Sequence, residues 1–230
     1  PAEIVIAPSV YKSMRYDPAR DLAPVTLAGT TPLVVVANPA VGVKTMPELV
    51  AYAKANPGKA SFGTAGNASS QHLAGTWIAN LAGIDFLHVP YRDGGQLMGD
   101  LARAEVGFTV LSVQSVAGML KEGRLRALAV GTRMRLKELP GVPTIPEAGG
   151  PSMEMAPWAG LFAPAGTPSD VLERLGRDVR TALAAPEVRA RIETMGFEVL
   201  GSSAADLAGI VRRETEDNAP LIASGRIRGN

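Results

Sequence analysis

The 230-residue sequence contains no cysteine at all. That removes disulfide frameworks, thiolate metal sites and cysteine nucleophiles together. It does not fix a compartment, since a periplasmic and a cytosolic protein both tolerate it. Aromatic residues are sparse at 5%, and there are two histidines. Net charge is nearly absent too: 23 Lys and Arg balance 22 Asp and Glu, leaving +1. No basic excess points to nucleic acid, and no acidic run forms a tail. No apolar stretch approaches the ~20 residues that span a bilayer. Catalytic signatures are missing as well. There is no Gly-x-Ser-x-Gly elbow, no phosphate-loop lysine, no Gly-x-Gly-x-x-Gly and no His-x-x-x-His.

What remains is an ordinary globular composition, 46% apolar and 20% charged, enough for one or two packed domains. Apolar strand-like runs recur at Ile4–Ala7, Leu33–Ala37, Ala60–Gly63, Phe86–Val89, Val106–Leu111, Leu125–Val130, Gly160–Ala163 and Glu198–Leu200. Several are continuous in Val, Ile or Leu, which suits strands covered on both faces, as in parallel sheets. The intervening stretches carry helix-start signals. Thr45-Met-Pro-Glu48 reads as a capping box, and Thr167-Pro-Ser-Asp170 repeats the logic ahead of Val171, Leu172, Leu175, Val179 and Leu183 at helical spacing. Pro186 opens a further helix that Gly196 ends, and Ser203 with Asp206 caps a last one running towards Ala223. The alternation predicts an α/β chain. Two stretches, Thr30 to Pro39 and Trp158 to Pro168, read either as domain crossings or as buried strands with turns. The chain opens on Pro1 without a Met or a signal peptide, and Pro1–Ala7 reads as a strand, so a preceding segment is expected.

The most informative segment is Ser61-Phe-Gly-Thr-Ala-Gly-Asn-Ala-Ser-Ser-Gln-His-Leu73. A short strand enters a loop of small residues and leaves as a helix with Leu73, Trp77, Ile78 and Leu81 on one face. Gly63 and Gly66 are expected to take backbone angles closed to other residues. Ser69 or Ser70 caps the helix. Such a loop gathers N–H groups at a positive helix end, which is an anion site; it is equally a capped helix after a tight turn. A second loop, His88-Val-Pro-Tyr-Arg-Asp-Gly-Gly-Gln96, precedes another helix. If the two strands are parallel neighbours, both loops lie at one sheet edge, where open α/β sheets bind ligands. Tyr91 either lines a pocket there or packs at the strand end. His72 reads as a structural hydrogen-bonder and His88 as a packed strand residue.

These blocks resemble the Bug, or tripartite tricarboxylate transporter receptor, family of periplasmic solute-binding proteins. Besides both loops, the resemblance rests on Tyr16-Asp-Pro-Ala-Arg-Asp-Leu-Ala-Pro-Val25, Gly123-Arg-Leu-Arg-Ala-Leu-Ala-Val130, Leu139-Pro-Gly-Val-Pro-Thr-Ile-Pro-Glu-Ala-Gly149 and Trp158-Ala-Gly-Leu-Phe-Ala-Pro-Ala-Gly-Thr-Pro168. It implies a type II periplasmic binding fold: two α/β lobes joined by a hinge, with residues 1–32 and 160–230 in an incomplete lobe one and 33–159 in lobe two. It implies a periplasmic receptor, not an enzyme, that captures a small organic carboxylate for membrane transporter subunits. No cofactor, metal or nucleic acid is involved. Carried onto this chain, the ligand contacts are Thr64, Ala65, Gly66, Asn67, Ser69 and Ser70, with Tyr91 and Gly94 from the second loop. Ala65 and Gly66 act through backbone, and Ser69 through its hydroxyl. A regulator's ligand-sensing domain and an enzyme on the same scaffold are the alternatives.

Three departures qualify the resemblance. Members begin with a further strand and a Pro/Gly-rich loop, so roughly two βα units, at about 30 residues each, are expected upstream. Members often carry two acids where this chain reads Val106-Gly-Phe-Thr-Val-Leu111, which favours a ligand without an ammonium group. Asp93 replaces a usual glycine and sets a negative charge beside the proposed anion loops.

Overall fold

The computed structural model describes residues 2–10, 13–66, 69–150 and 154–223. The chain divides into two compact units, residues 1–31 with 157–230, and residues 32–156. Among the described residues, no helix is long and apolar enough to cross a membrane.

The unit of residues 32–156 is built on a five-stranded sheet. Its strands are β2 (Leu33–Ala37), β3 (Ser61–Thr64), β4 (Leu87–Pro90), β5 (Phe108–Ser112) and β6 (Arg126–Val130), in the order β4-β3-β5-β2-β6. β3 is parallel to β4 and β5, whereas β2 is antiparallel to β5 and β6. The sheet is therefore mixed rather than parallel throughout. The sequence expectation failed here because a doubly covered strand reads as a continuous apolar run in either direction.

β2 shows how the layers are filled. All five of its residues are buried, and their side chains alternate between faces. Leu33, Val35 and Ala37 join one cluster with Met46, Leu49 and Ala53 of α4 (Met46–Ala55) and Ala74, Ile78 and Ala79 of α5 (Ser70–Ala82). Val34 and Val36 join a second with Leu97 and Leu101 of α6 (Gly94–Ala102) and Val116 of α7 (Val113–Lys121). Helices thus cover both faces of the sheet. α4 starts as expected: Thr45 Oγ1 accepts from the Glu48 N–H at 3.3 Å. Glu48 reaches back one residue further than a capping box requires, to the Lys44 N–H at 2.7 Å.

The other unit carries β1 (Leu22–Thr30), flanked by β7 (Trp158–Pro164) and β8 (Glu198–Val199), both antiparallel to it. β1 was not among the expected strands. Pro24 and Gly29 interrupt its sequence, and each lies beside a shift of register against β7, where a strand tolerates them. The helices of this unit are α8 (Ser169–Ala184), α9 (Pro186–Thr194) and α10 (Ala204–Ala223). Ser203 and Asp206 cap α10 reciprocally: Ser203 Oγ accepts from the Asp206 N–H at 3.1 Å, and Asp206 Oδ2 accepts from the Ser203 N–H at 3.1 Å. The Ser203 hydroxyl, which donates to the Asp206 carboxylate at 2.7 Å, and then the Ser203 N–H hold that carboxyl below its ordinary range. Thr167 does not cap α8. Pro168 occupies the cap position without a side-chain bond, and the Thr167 hydroxyl donates to the Pro164 carbonyl at 2.7 Å. Val171 and Leu175 of its apolar stripe are exposed, whereas Leu183 is buried.

Ile4–Ala7, expected as a strand, is helical. Two single turns, α1 (Ala2–Val5) and α2 (Ala7–Val10), occupy the segment ahead of a third, α3 (Pro18–Asp21). Val5 and Ile6 are buried. β-branched residues favour strands only where a neighbouring strand pairs with them, and none does so here.

Candidate functional site

β3, β4 and β5 run in the same direction, so α5, α6 and α7 all begin at one edge of the sheet. β3 lies between the other two, and its loop is the central one.

That loop is organised around the Gly66 carbonyl. Three donors reach it: the Ser69 hydroxyl at 2.8 Å, the Thr64 hydroxyl at 3.2 Å and the Ser69 N–H at 3.4 Å. Gly66 adopts φ +101°, open to glycine and strained for other residues. Ser69 caps α5, its Oγ accepting from the His72 N–H at 3.2 Å. Gly63 has a different role from the one expected. Its φ is not positive, and it is small because a Cβ would sit 2.3 Å from Leu97 Cδ1 and 3.3 Å from the Val106 methyls.

Ala65 and Ser70 are exposed, Gly66 and Ser69 half-buried, and Thr64 fully buried. Asn67 lies outside the described residues. Among those described, no protein acceptor takes the N–H groups of Ala65, Gly66, Ser70 or Gln71. Unpartnered amides at a helix N-terminus carry a partial positive charge, and no carboxylate side chain caps this one.

The second loop is tied to the first where the Tyr91 N–H donates to the Thr64 carbonyl at 2.8 Å. Tyr91 itself is buried in the second apolar cluster. Burial, and then the neighbouring Asp100 carboxyl, push its hydroxyl up to about 12. The ring packs in that cluster at the strand end. Gly94 is exposed at the first position of α6, but this helix start is already occupied: the Asp93 carboxylate accepts from the Gln96 N–H at 2.8 Å. An acid fills the electrostatic role at α6 that is left open at α5.

Two hydroxyls at the same edge were not singled out from sequence. Ser112 caps α7 by accepting from the Ser115 N–H at 3.3 Å, and the Ser115 hydroxyl donates to the Ser112 carbonyl at 2.8 Å. The signal was the Ser-x-x-Ser spacing directly after β5, the same pattern that marks caps elsewhere in the chain. Neighbouring Leu111 is buried in the apolar cluster, with no acid in its segment.

The two histidines meet beside this loop. The rings of His72 and His88 stack with centroids 4.3 Å apart and planes 3° from parallel, and His88 Nε2 lies 2.7 Å from Thr64 Oγ1. Burial lowers the proton affinity of both rings, and the neighbouring His88 lowers that of His72 further.

Removing the cap tests the loop's energetics. Ser69→Ala leaves the His72 N–H and the Gly66 carbonyl each short of a partner. Urea unfolding is expected to show a loss of about 1 kcal/mol. A loss confined to a few tenths would mean that water replaces the cap without cost.

The arrangement coincides with a family assignment. A model for the tripartite tricarboxylate transporter family receptor matches residues 2–226. The chain belongs to this family of solute-binding receptors. It is 38% identical over 228 residues to the UPF0065 protein in the tcbD-tcbE intergenic region of Pseudomonas sp. (strain P51), covering 99% of this chain and 68% of that relative. Among solved structures, the periplasmic binding protein BugD superposes with a TM-score of 0.80 at 29% identity, covering 99% of this chain and 77% of that one. R. palustris Rpa4515, solved with adipate, superposes with a TM-score of 0.76 at 29% identity over 94% of this chain and 72% of that one. The α/β architecture of the receptor chain is thus that of periplasmic solute-binding proteins.

Proposed function

We propose that this chain captures a small organic dicarboxylate or related carboxylate in the periplasm and presents it to membrane transporter subunits, without catalysing a reaction on it. The observation that carries this reading is that the amides of Ala65 and Gly66 in the loop, and of Ser70 and Gln71 at the start of α5, have no acceptor among the described residues. A carboxylate there gains ~0.3–1 kcal/mol from the helix end, and ~2 when partly buried. Charge-assisted hydrogen bonds from the same amides add to it, so no side-chain cation is needed.

The candidate contacts then divide by role. Ala65 and Gly66 act through their amides, Ser70 through its amide and exposed hydroxyl, and Asn67 through its side chain. Thr64 and Ser69 act one step back, because their hydroxyls already hold the Gly66 carbonyl. Gly94 is a weaker contact beside Asp93, and Tyr91 serves as wall. The apolar Val106–Leu111 stretch supports a ligand lacking an ammonium group, and the adipate held by the R. palustris neighbour has that chemistry. The two lobes of this proposal are residues 1–32 with 160–230 and residues 33–159.

Thermal-shift and calorimetric screening of the protein against mono-, di- and tricarboxylates tests the reading. A true ligand at a hundredfold excess over its Kd is expected to add about 2.7 kcal/mol of stability, several degrees in Tm. A broad panel in which no carboxylate moves Tm or gives a binding heat would end the proposal.

A further inference from the structure

The sequence holds two histidines, and the fold stacks one on the other beside the loop from β3 into α5. His88 lies on β4 in register with Phe62 of β3, and His72 is the third residue of α5. The Thr64 hydroxyl lies 2.7 Å from His88 Nε2 and 3.2 Å from the Gly66 carbonyl. The His72 N–H donates to Ser69 Oγ, and the Ser69 hydroxyl donates to the same Gly66 carbonyl. The Gly66 peptide is therefore linked through Thr64 to the His88 ring, and through Ser69 to the main chain of His72, whose ring stacks on His88.

The surroundings of the pair are almost free of charge. α5, β3, β4 and β5 contain no Asp, Glu, Lys or Arg. The charged groups that flank them are Asp85, Arg92 and Asp93 at the two ends of β4, with Asp100 of α6 paired to Arg103. None of these accounts for the lowered proton affinity of either ring, which comes from burial and, for His72, from its partner. Near neutral pH the stack is uncharged. A carboxylate arriving at the α5 amides brings a full negative charge next to two imidazoles with no competing cation in these elements. Opposite charge favours the imidazolium, so the proton affinity of the pair rises on binding. Only one ring gains a proton, because two imidazoliums stacked face to face repel.

We propose that His88, which meets the Thr64 hydroxyl of the anion loop, and the His72 ring stacked on it take up one proton from solvent as a carboxylate binds, so that capture tightens on acidification. This rests on the carboxylate reading of the site. The sign follows from linkage: the bound state holds more protons, so affinity is highest at low pH and falls as pH rises through the raised, ligand-bound proton affinity.

Adipate is the probe. Its binding is measured calorimetrically between about pH 5 and 8 in two buffers of different ionisation enthalpy, while NMR follows the two histidine ring signals. The expected result is a Kd that weakens by up to about tenfold per pH unit in the upper part of that range, as one coupled proton requires. Heats differ between buffers, and at least one histidine titrates at higher pH with adipate bound. H72Q and H88Q flatten the pH profile to below about twofold per unit while still binding at the alkaline end; in H88Q the amide offers Thr64 both a donor and an acceptor. Wild-type binding with a flat pH profile and equal heats in both buffers overturns the proton-coupled pair and leaves carboxylate capture standing. Absence of adipate binding at every pH overturns the pair together with adipate as a ligand, and the wider carboxylate panel then decides the receptor reading separately.

Discussion

Gly75→Val is expected to destabilise the protein by about 3 kcal/mol, lowering Tm by roughly 10 °C, and to abolish carboxylate capture with it. α5 crosses β3 at this glycine. A Cβ at residue 75 would lie 2.3, 2.7 and 2.8 Å from Cε1, Cζ and Cδ1 of Phe62. Phe62 cannot swing clear, because its ring is 2% exposed and stacks on Phe86 at 5.0 Å. On the opposite face of the same strand, Leu97 presses onto Gly63. β3 is therefore clamped from both sides, and a larger residue at 75 must lift α5. The loop from β3 runs into the α5 N-terminus, so a lifted helix also displaces the anion loop. Gly75→Ala separates the two contributions. It adds one carbon to the clash but gains about 1 kcal/mol of helix propensity, so its net cost is expected near 1 kcal/mol. Urea unfolding followed by ligand titration of both variants is the measurement. Native stability in Gly75→Val would show that α5 does not approach β3 this closely.

The same clamp explains how much of this fold was legible in sequence. β2, β5 and β6 read clearly because a strand covered on both faces needs an unbroken apolar run, and Val34 to Ala37 or Leu128 to Val130 can hardly do otherwise. Strand direction was not legible, since the period of two is the same for both ladders. β1 escaped notice because its burial comes from its partners, β7 and β8, rather than from its own residues. The buried face of α5 was misjudged for a related reason. Leu73, Trp77, Ile78 and Leu81 looked like one apolar stripe, yet of these Ile78 is buried, with Ala74, Gly75 and Ala79 beside it, and Leu81 is half exposed. A helix that packs this tightly on a strand buries its small residues, and hydrophobicity alone reports the large ones. At the site, Gly66 and the Ser69 cap were legible as local chemistry. The histidine stack was not, because His72 and His88 meet only after α5 folds back over the sheet, and each taken singly is a commonplace packed residue.

Gly66 is where backbone conformation and capture should part company from overall stability. Gly66→Ala and Gly66→Val place a side chain at φ +101°, with the nearest atom that a Cβ would meet, the Tyr91 carbonyl oxygen, at a comfortable 3.8 Å. The cost is thus backbone strain of about 1–3 kcal/mol rather than a clash, and a loop relieves such strain by turning its peptide. Turning that peptide pulls the carbonyl away from the Thr64 and Ser69 hydroxyls and the Ser69 N–H, which together set the loop. Stability is expected to fall by only about 1 kcal/mol. Affinity for the carboxylate is expected to fall at least tenfold, about 1.4 kcal/mol, and further for valine, whose branched Cβ tolerates positive φ worst. Gly58→Ala is the matched control: φ is +74° there, nothing lies within 4 Å of the added carbon, and it follows α4 rather than the anion loop. It should lose comparable stability and no affinity. Equal, undiminished affinity in the Gly66 and Gly58 variants would mean that the carboxylate is held somewhere other than the turn from β3 into α5.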